Sequence, residues 1–375
     1  MVIWEELPRD LVSSVVSWLP ITDILRSRTI SKQFHAWISS ISFLDEIARV
    51  PSQSSWLVLF PSSTPSIASA YDPSLDSWLS LPVPLQIQPL ASSRGLICGA
   101  PKPDLGSGSS RSSKELHVCN LVTRSWVRVP QPREMSRFFF LVVGMVSTGR
   151  SGFTIVVAGS DLVSHHASAN FKLSAWVFES RSWKWTKGGT VLIDAAISTS
   201  KAMSDSTLFV VSGNRELVAY DLGRGSWRRV DLPAKELTSV KLVDRLGRLV
   251  LVARTNQDEI AIWELHQEQP RSRSDGEKSL PSDDPSFWIE LDRMPRCLSD
   301  ELLLKSPSRR IACVGSGDMA YFSSTKCASI LAYTFSTRSW RWTSCCSRVT
   351  KNPHYDMLRG ICLEPRLEIS PSKKL

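Results

Sequence analysis

The chain has 375 residues, 42% of them apolar, and a formal net charge of +9. That is enough for a large core, or for one small and one large domain. No run approaches the roughly 18–20 apolar residues of a membrane helix. The residues ahead of the first helical pattern are too few, and with Glu5 and Glu6 too acidic, for a leader peptide. The expectation is an intracellular protein.

The opening stretch is helical in pattern. In LPRDLVSSVVSWLP (7–20), Leu11, Val12, Val15, Val16 and Leu19 recur at three- and four-residue steps. Pro8 suits a helix start and Pro20 a stop. Thr22 is placed to cap a second short helix holding Ile24 and Leu25, and Ser31 a third with Phe34, Trp37, Ile38 and Ile41. Three short helices cannot bury their own apolar surface. The surplus either pads a face of the larger C-terminal region or docks the helices of another protein.

The chain beyond residue 45 is periodic. AYDPSLDSWLSLP, VCNLVTRSWVRVP, AWVFESRSWKWT, VAYDLGRGSWRRVDLP and LAYTFSTRSWRWTS each read as strand, polar turn, then Ser-Trp opening an alternating strand. A degenerate copy runs from IAIWEL through a long polar insert to FWIELDRMP. The marker tryptophans are Trp78, Trp126, Trp183, Trp227, Trp288 and Trp340, spaced 44 to 61 residues apart. Further strand-like runs precede several copies, which gives the size of a four-stranded kelch-type blade. Such blades must stack around an axis to cover their faces. The reading is an all-β kelch-type propeller of six blades over residues 46–375, after a helical domain of three helices at 1–45. The tryptophans are assigned to packing between blades. SWLVLF (55–60) and RGICLEP (359–365) are left over at the two ends and are expected to seal the ring by pairing.

Two polar inserts, 100–115 and 266–286, read as loops. Strand order sets the first on the face shared by loops joining second to third strands. The second, inside a hairpin, falls on the opposite face. Outside the first 50 residues the net charge is about +10 by residue count, carried mostly by isolated arginines. It reads as a solvated basic surface or as a surface for acidic partners, and no basic run interleaved with aromatics marks a nucleic-acid groove.

Catalytic chemistry finds little support. The eight cysteines are scattered, without a C-x-x-C pair, and are assigned to buried strand thiols. His165 and His166 lie in a face loop with no companion at ligand spacing, and GSGSS is neither a nucleophile elbow nor a phosphate loop. The expectation is no catalytic residue, no metal and no cofactor. That leaves recognition of other proteins.

LPRDLVSSVVSWLPITDILRSRTISKQFHAWISS resembles the F-box. Leu7, Pro8, Leu11, Leu19, Pro20, Ile24, Arg26, Arg28, Ile30, Lys32 and Ile38 fall in register with it. The departures are Ser31 for the usual cysteine, Phe34 for tryptophan and Trp37 for leucine. An F-box ahead of degenerate kelch repeats is similar to plant F-box proteins, the class that includes UNUSUAL FLORAL ORGANS. The resemblance implies the substrate receptor of an SCF-type cullin ubiquitin ligase. Leu7, Pro8, Leu11, Val15, Leu19, Pro20, Ile24, Ile30 and Phe34 would face the adaptor that links F-box proteins to the cullin. A client protein would sit on loops near 100–115 and 159–172, with His165 and His166 as candidate contacts. The resemblance also implies a plant origin, a nuclear or cytoplasmic location and a transcription regulator as client. Membrane and direct nucleic-acid partners are not expected. Two alternatives stay open: an F-box-independent adaptor or transcription cofactor, and a propeller enzyme.

Overall fold

The computed structural model describes residues 8–51, 53–60, 67–84, 86–101, 115–132, 135, 138–161, 171–195, 197–267, 286–304, 311–324, 330–346 and 360–371. The opening segment forms four helices rather than three: α1 (Arg9–Ser17), α2 (Ile21–Ser27), α3 (Lys32–Ile38) and α4 (Ile41–Ile47). The extra break has a local cause. Ser31 caps α3 by accepting the Phe34 N–H at 3.1 Å, and Ser40 does the same for the Phe43 N–H at 3.3 Å. The helix expected to run through Ile41 therefore ends at Ile38 and a new one begins. Thr22 is not the cap of α2 either. Pro20 takes that position, and the buried Thr22 hydroxyl has no hydrogen-bond partner among the described residues.

The rest of the chain is an all-β propeller. β1 (Trp56–Leu59), β2 (Ile67–Asp72) and β3 (Ser77–Pro82) share a sheet with the last strand, β24 (Gly360–Leu363), in the order β24-β1-β2-β3. β4 (Ile87–Ser93), β5 (Leu96–Pro101), β6 (Leu116–Asn120) and β7 (Ser125–Val129) form the next sheet. β8 (Phe138–Thr148), β9 (Gly152–Asp161), β10 (Phe171–Glu179) and β11 (Lys184–Ile193) form a third. β12 (Ile197–Ser204), β13 (Thr207–Ser212), β14 (Leu217–Asp221) and β15 (Ser226–Val230) form a fourth.

The remaining strands make one eight-stranded sheet. It takes β16 (Thr238–Arg245), β17 (Arg248–Arg254), β18 (Ile260–Gln267) and β19 (Ser286–Arg293), then β20 (Ile311–Ser316), β21 (Met319–Ser324), β22 (Leu331–Thr334) and β23 (Ser339–Trp342). Its two halves meet through a single parallel pairing, Asp244 with Ser316. A helix that the repeat pattern did not announce, α5 (Arg296–Leu304), comes after β19 and buries Leu302 and Leu303. β4, β8, β12, β16, β20 and β24 contact one another in turn, so the cycle closes. The chain ends seal it: β1 pairs antiparallel with β24 from Trp56–Leu363 to Leu59–Gly360.

The Ser-Trp hairpins share one construction. Asp72, Asn120 and Asp221 open their turns by accepting backbone N–H groups two residues on. The residue before the Ser-Trp strand is left-handed at Asp76, Arg124 and Gly225. Across the strands, Tyr71 faces Trp78, Tyr220 faces Trp227 and Tyr333 faces Trp340, with ring centroids 5.3, 5.1 and 4.4 Å apart. In the third copy the register sets Trp185, not Trp183, opposite Phe178; Trp183 occupies the left-handed turn position at φ +54.

The outer-strand indoles also reach sideways. Trp78 Nε1–H donates to the Ser344 carbonyl at 2.8 Å, Trp227 to Gly189 at 3.0 Å and Trp288 to Asp231 at 2.6 Å. Trp185 donates likewise to Pro130. Each bond ties one four-stranded unit to the one before it. Trp126 departs from the pattern: it is 48% exposed and rests against His117, with centroids 5.8 Å apart.

Candidate docking surfaces

α1 carries two apolar stripes. Val12, Val16 and Leu19 turn inward and pack against a core shared with α2–α4 and with strands β1, β2, β4 and β5. Leu11, Val15 and Trp18, spaced four and three residues apart, stand 55%, 54% and 65% exposed. That is one helical face of large apolar side chains with no partner in the described chain. Ile30, after α2, and Ile41, at the start of α4, are also strongly exposed. Pro8, at the cap of α1, lies at the surface.

The other residues in the predicted adaptor set sit differently. Ile24 is fully buried in the shared core. Leu19 and Pro20 are half-buried. Phe34 packs edge-on against Trp37 at 5.1 Å, and Trp37 in turn rests on the buried Phe43 at 4.8 Å. Leu7 lies outside the described residues, as do His165, His166 and the loop centres at 102–114 and 162–170. Sequence reasoning did not single out Trp18, although its place seven residues after Leu11 on the same face was a readable signal. Ile41 was read as part of a longer third helix and was not placed in the adaptor set, whereas it opens α4.

The helices are firmly seated. The linker residue Gln53 spans Pro20, which has no N–H of its own: its Nε2–H donates to the Leu19 carbonyl at 2.8 Å and its Oε1 accepts from Ile21 N–H at 2.9 Å. On α4, Asp45 forms an ion pair with Arg150 in the turn between β8 and β9. Burial lowers the pKa of Arg28, whose Nε has no hydrogen-bond partner among the described residues.

Antiparallel order sets the two ends of the propeller. Turns joining first to second and third to fourth strands share one end, and β1, second in its sheet after β24, enters from there. The helices therefore lie at that end. The segments joining β5 to β6 and β9 to β10, where 102–114 and 162–170 fall, leave from the far end. The insert after Gln267 leaves from the helix end.

Among the described residues no group of three or more His, Cys, Asp or Glu is placed to hold a metal. Five of the described cysteines are buried, and burial pushes the thiols of Cys98, Cys119 and Cys313 up to about 12. Such thiols stay protonated and inert at neutral pH. No described helix is long and apolar enough to cross a membrane.

Comparison with known proteins bears on both halves of the chain. Residues 4–46 match the F-box domain, and residues 69–277 match the family described as F-box protein At3g26010-like, beta-propeller. F-box only protein 6 of Arabidopsis thaliana is 26% identical over 90% of this chain and 69% of its own length. F-box/kelch-repeat protein At3g61590 of the same plant is 24% identical over 97% of this chain and 90% of its own. Protein UNUSUAL FLORAL ORGANS, also from Arabidopsis thaliana, is 21% identical over 92% and 79%. The propeller match alone spans more than half of the residues, and the F-box match covers the helices that carry the exposed α1 stripe. This chain belongs to the F-box proteins with an At3g26010-like β-propeller.

Proposed function

We propose that this protein is the substrate-receptor subunit of an SCF-type cullin ubiquitin ligase, without bond chemistry of its own. The observation that carries the reading is the exposed stripe Leu11, Val15 and Trp18 on α1 of an F-box. An apolar helical face rimmed by polar residues is the form of a protein-docking site. Here the SKP1-type adaptor would cover it, and the adaptor would carry the cullin. Pro8, Leu11, Val15 and Ile30 would make that contact together with Trp18, Ile41 and Leu7. Leu19, Pro20, Ile24 and Phe34 would support it from beneath, by holding α1 and α2 in place.

The propeller would hold a client protein at the far end, on the loops near 100–115 and 159–172, with His165 and His166 among the candidates. That arrangement keeps client and adaptor on opposite ends, and it brings client lysines to a ubiquitin-charged enzyme by proximity. We read the ring as six blades, counting the eight-stranded sheet as two joined by the Asp244–Ser316 pairing. Trp78, Trp126, Trp183, Trp227, Trp288 and Trp340 act as structural residues in it. The division into an F-box domain at 1–45 and a propeller at 46–375 belongs to the same reading. So do a plant origin, a location in the nucleus or cytoplasm, and a transcription regulator as client.

The test is capture of an SKP1-type adaptor by the purified chain beside Leu11→Asp and Val15→Asp variants, with folding checked by circular dichroism. The proposal expects the parent to bind and both folded variants to lose at least tenfold in affinity. A well-folded parent that captures no adaptor overturns it.

A further inference from the structure

Residues 364–371, after β24, form no helix or strand, yet Pro365 to Ile369 are buried. Their side chains enter two different cores. Leu367 joins the shared cluster that holds Ile21, Ile24, Phe43 and Ile47 of the helices together with Trp56, Val58, Ile87 and Ile97 of the strands. Two residues later, Ile369 joins the core between the β4–β7 and β8–β11 sheets, with Val118, Met145 and Phe153. The segment passes between helices and propeller and packs into both.

Its backbone is held from the propeller side. Asn120, fully buried at the end of β6, donates through Nδ2 to the carbonyls of Arg366 at 2.8 Å and Ile369 at 2.7 Å. The same side chain accepts Val122 N–H through Oδ1 at 2.8 Å, so one residue sets its own turn and grips the tail. Gly95 N–H donates to the Glu364 carbonyl at 3.1 Å, and a Cβ at Gly95, where φ is +63, would come within 2.7 Å of Arg366 Cβ. Ser370 N–H donates to the carbonyl of Arg150, whose guanidinium pairs with Asp45 of α4. Arg366 sits between Glu364 at 2.5 Å and Glu368 at 3.3 Å, so its buried guanidinium is paired within the tail itself. The seam between helices, linker and tail, lined by Ile21, Ile47, Gln53, Pro365 and Arg366 among others, leaves a void of only about 10 Å³.

We infer that residues 364–371 are a strap that fixes the orientation of the F-box helices on the propeller. The shared core with β1, β2, β4 and β5 and the Asp45–Arg150 pair seat the helices. The strap adds a second hold by lying in both cores at once, and it continues directly from the strand that seals the ring. Ring closure and helix seating therefore depend on one stretch of chain. What the fixed span serves, a set distance from adaptor to client, rests on the ligase reading above; the strap itself does not.

The test uses the full chain. Asn120→Asp keeps the acceptor that sets the turn, removes the donor and sets a carboxylate against two carbonyls. Leu367→Ala thins the shared helix–strand core from the other side and keeps the inference testable should Asn120→Asp fail to fold; Leu367→Met is the conservative control. Spin labels at Gln33→Cys on α3 and Lys235→Cys on the far end, with other accessible cysteines replaced by serine, report the span by pulsed electron paramagnetic resonance. The parent and Leu367→Met should give one narrow distance. The folded Asn120→Asp and Leu367→Ala variants should broaden it, with amide exchange of α1–α4 rising at least tenfold and β12–β18 unchanged. A broad distance in the parent, or a narrow one in both folded variants, overturns the strap. Loss of protection throughout the propeller as well would equally overturn it, because the tail would then be a general element of the fold. Neither readout involves the adaptor, so failure of adaptor capture counts against the ligase reading alone.

Discussion

The seam between β11 and β14–β15 and the outer face of α1 use similar residues to opposite ends. At the seam Tyr220 is fully buried, Trp227 packs on it, and the indole N–H is matched by the Gly189 carbonyl. Gly188 makes room there: a Cβ at that position would overlap the Tyr220 hydroxyl. On α1, Leu11, Val15 and Trp18 are also apolar, yet each stays more than half exposed among the described residues. A propeller repeats its units, so apolar side chains at the seams meet a counterpart from the next unit. Four short helices have no such neighbour on their outer side. The contrast separates residues that hold the molecule together from residues left for something else.

The largest effect should come from within the helices. Ile24→Ala empties a fully buried site in the shared core and should cost about 2–5 kcal/mol of stability, read by chemical denaturation. Leu11→Ala, from the same domain, should change stability by less than about 0.5 kcal/mol while costing about 2 kcal/mol in adaptor binding. Equal stability losses at the two positions would break the comparison.

A charged group inside the propeller comes next. Burial raises the Asp244 carboxyl to about 6, and the nearby Asp205 charge adds to the rise. A raised carboxyl binds its proton more tightly in the folded state. Stability should therefore fall as pH climbs from the unfolded value near 4 through about 6, and be lowest above that. Asp244→Asn should accordingly stabilise the protein at pH 8 by up to about 3 kcal/mol, a gain that fades toward pH 4. Melting temperatures measured across that range check the sign.

The indole bonds give the smaller effects. Trp227→Phe keeps an aromatic ring but removes the indole N–H that meets the Gly189 carbonyl, and should cost about 1–2 kcal/mol by denaturation. Trp126→Phe should cost less than about 0.5 kcal/mol, since that ring is half exposed. A large loss at Trp126 would mean that its sheet is tied to its neighbour in a way the other four indole bonds do not suggest.

Much of this was legible beforehand because hairpins are local. Period-two alternation, Asx turns and a tryptophan at a constant offset need only neighbours in the chain, so the repeats and their pairing could be read from residues. The helical caps were partly legible: Ser31 behaved as its position suggested. Ser40 was overlooked because the apolar spacing of Phe34, Trp37, Ile38 and Ile41 continues across the break. Trp183 and Trp185 show the limit of counting within a repeat. Trp183 lies in the turn and Trp185 in the strand after it, both rings pack on Phe178, and only the strand register decides which one is paired across from it.

By itself the amino-acid sequence determined the helical start, the alternating hairpins, the strands left over to seal the ring, and an F-box pattern with more apolar surface than it can bury. Tertiary structure decided which of those apolar residues are free, since α1 has two apolar stripes and only packing chooses the one that turns inward. It also decided what Arg366, Leu367 and Ile369 do. Nothing in a short irregular tail announces a partner more than 240 positions earlier, as Asn120 is for the carbonyls of Arg366 and Ile369. Such contacts form when the closed ring brings distant segments to one seam, and no local pattern encodes them.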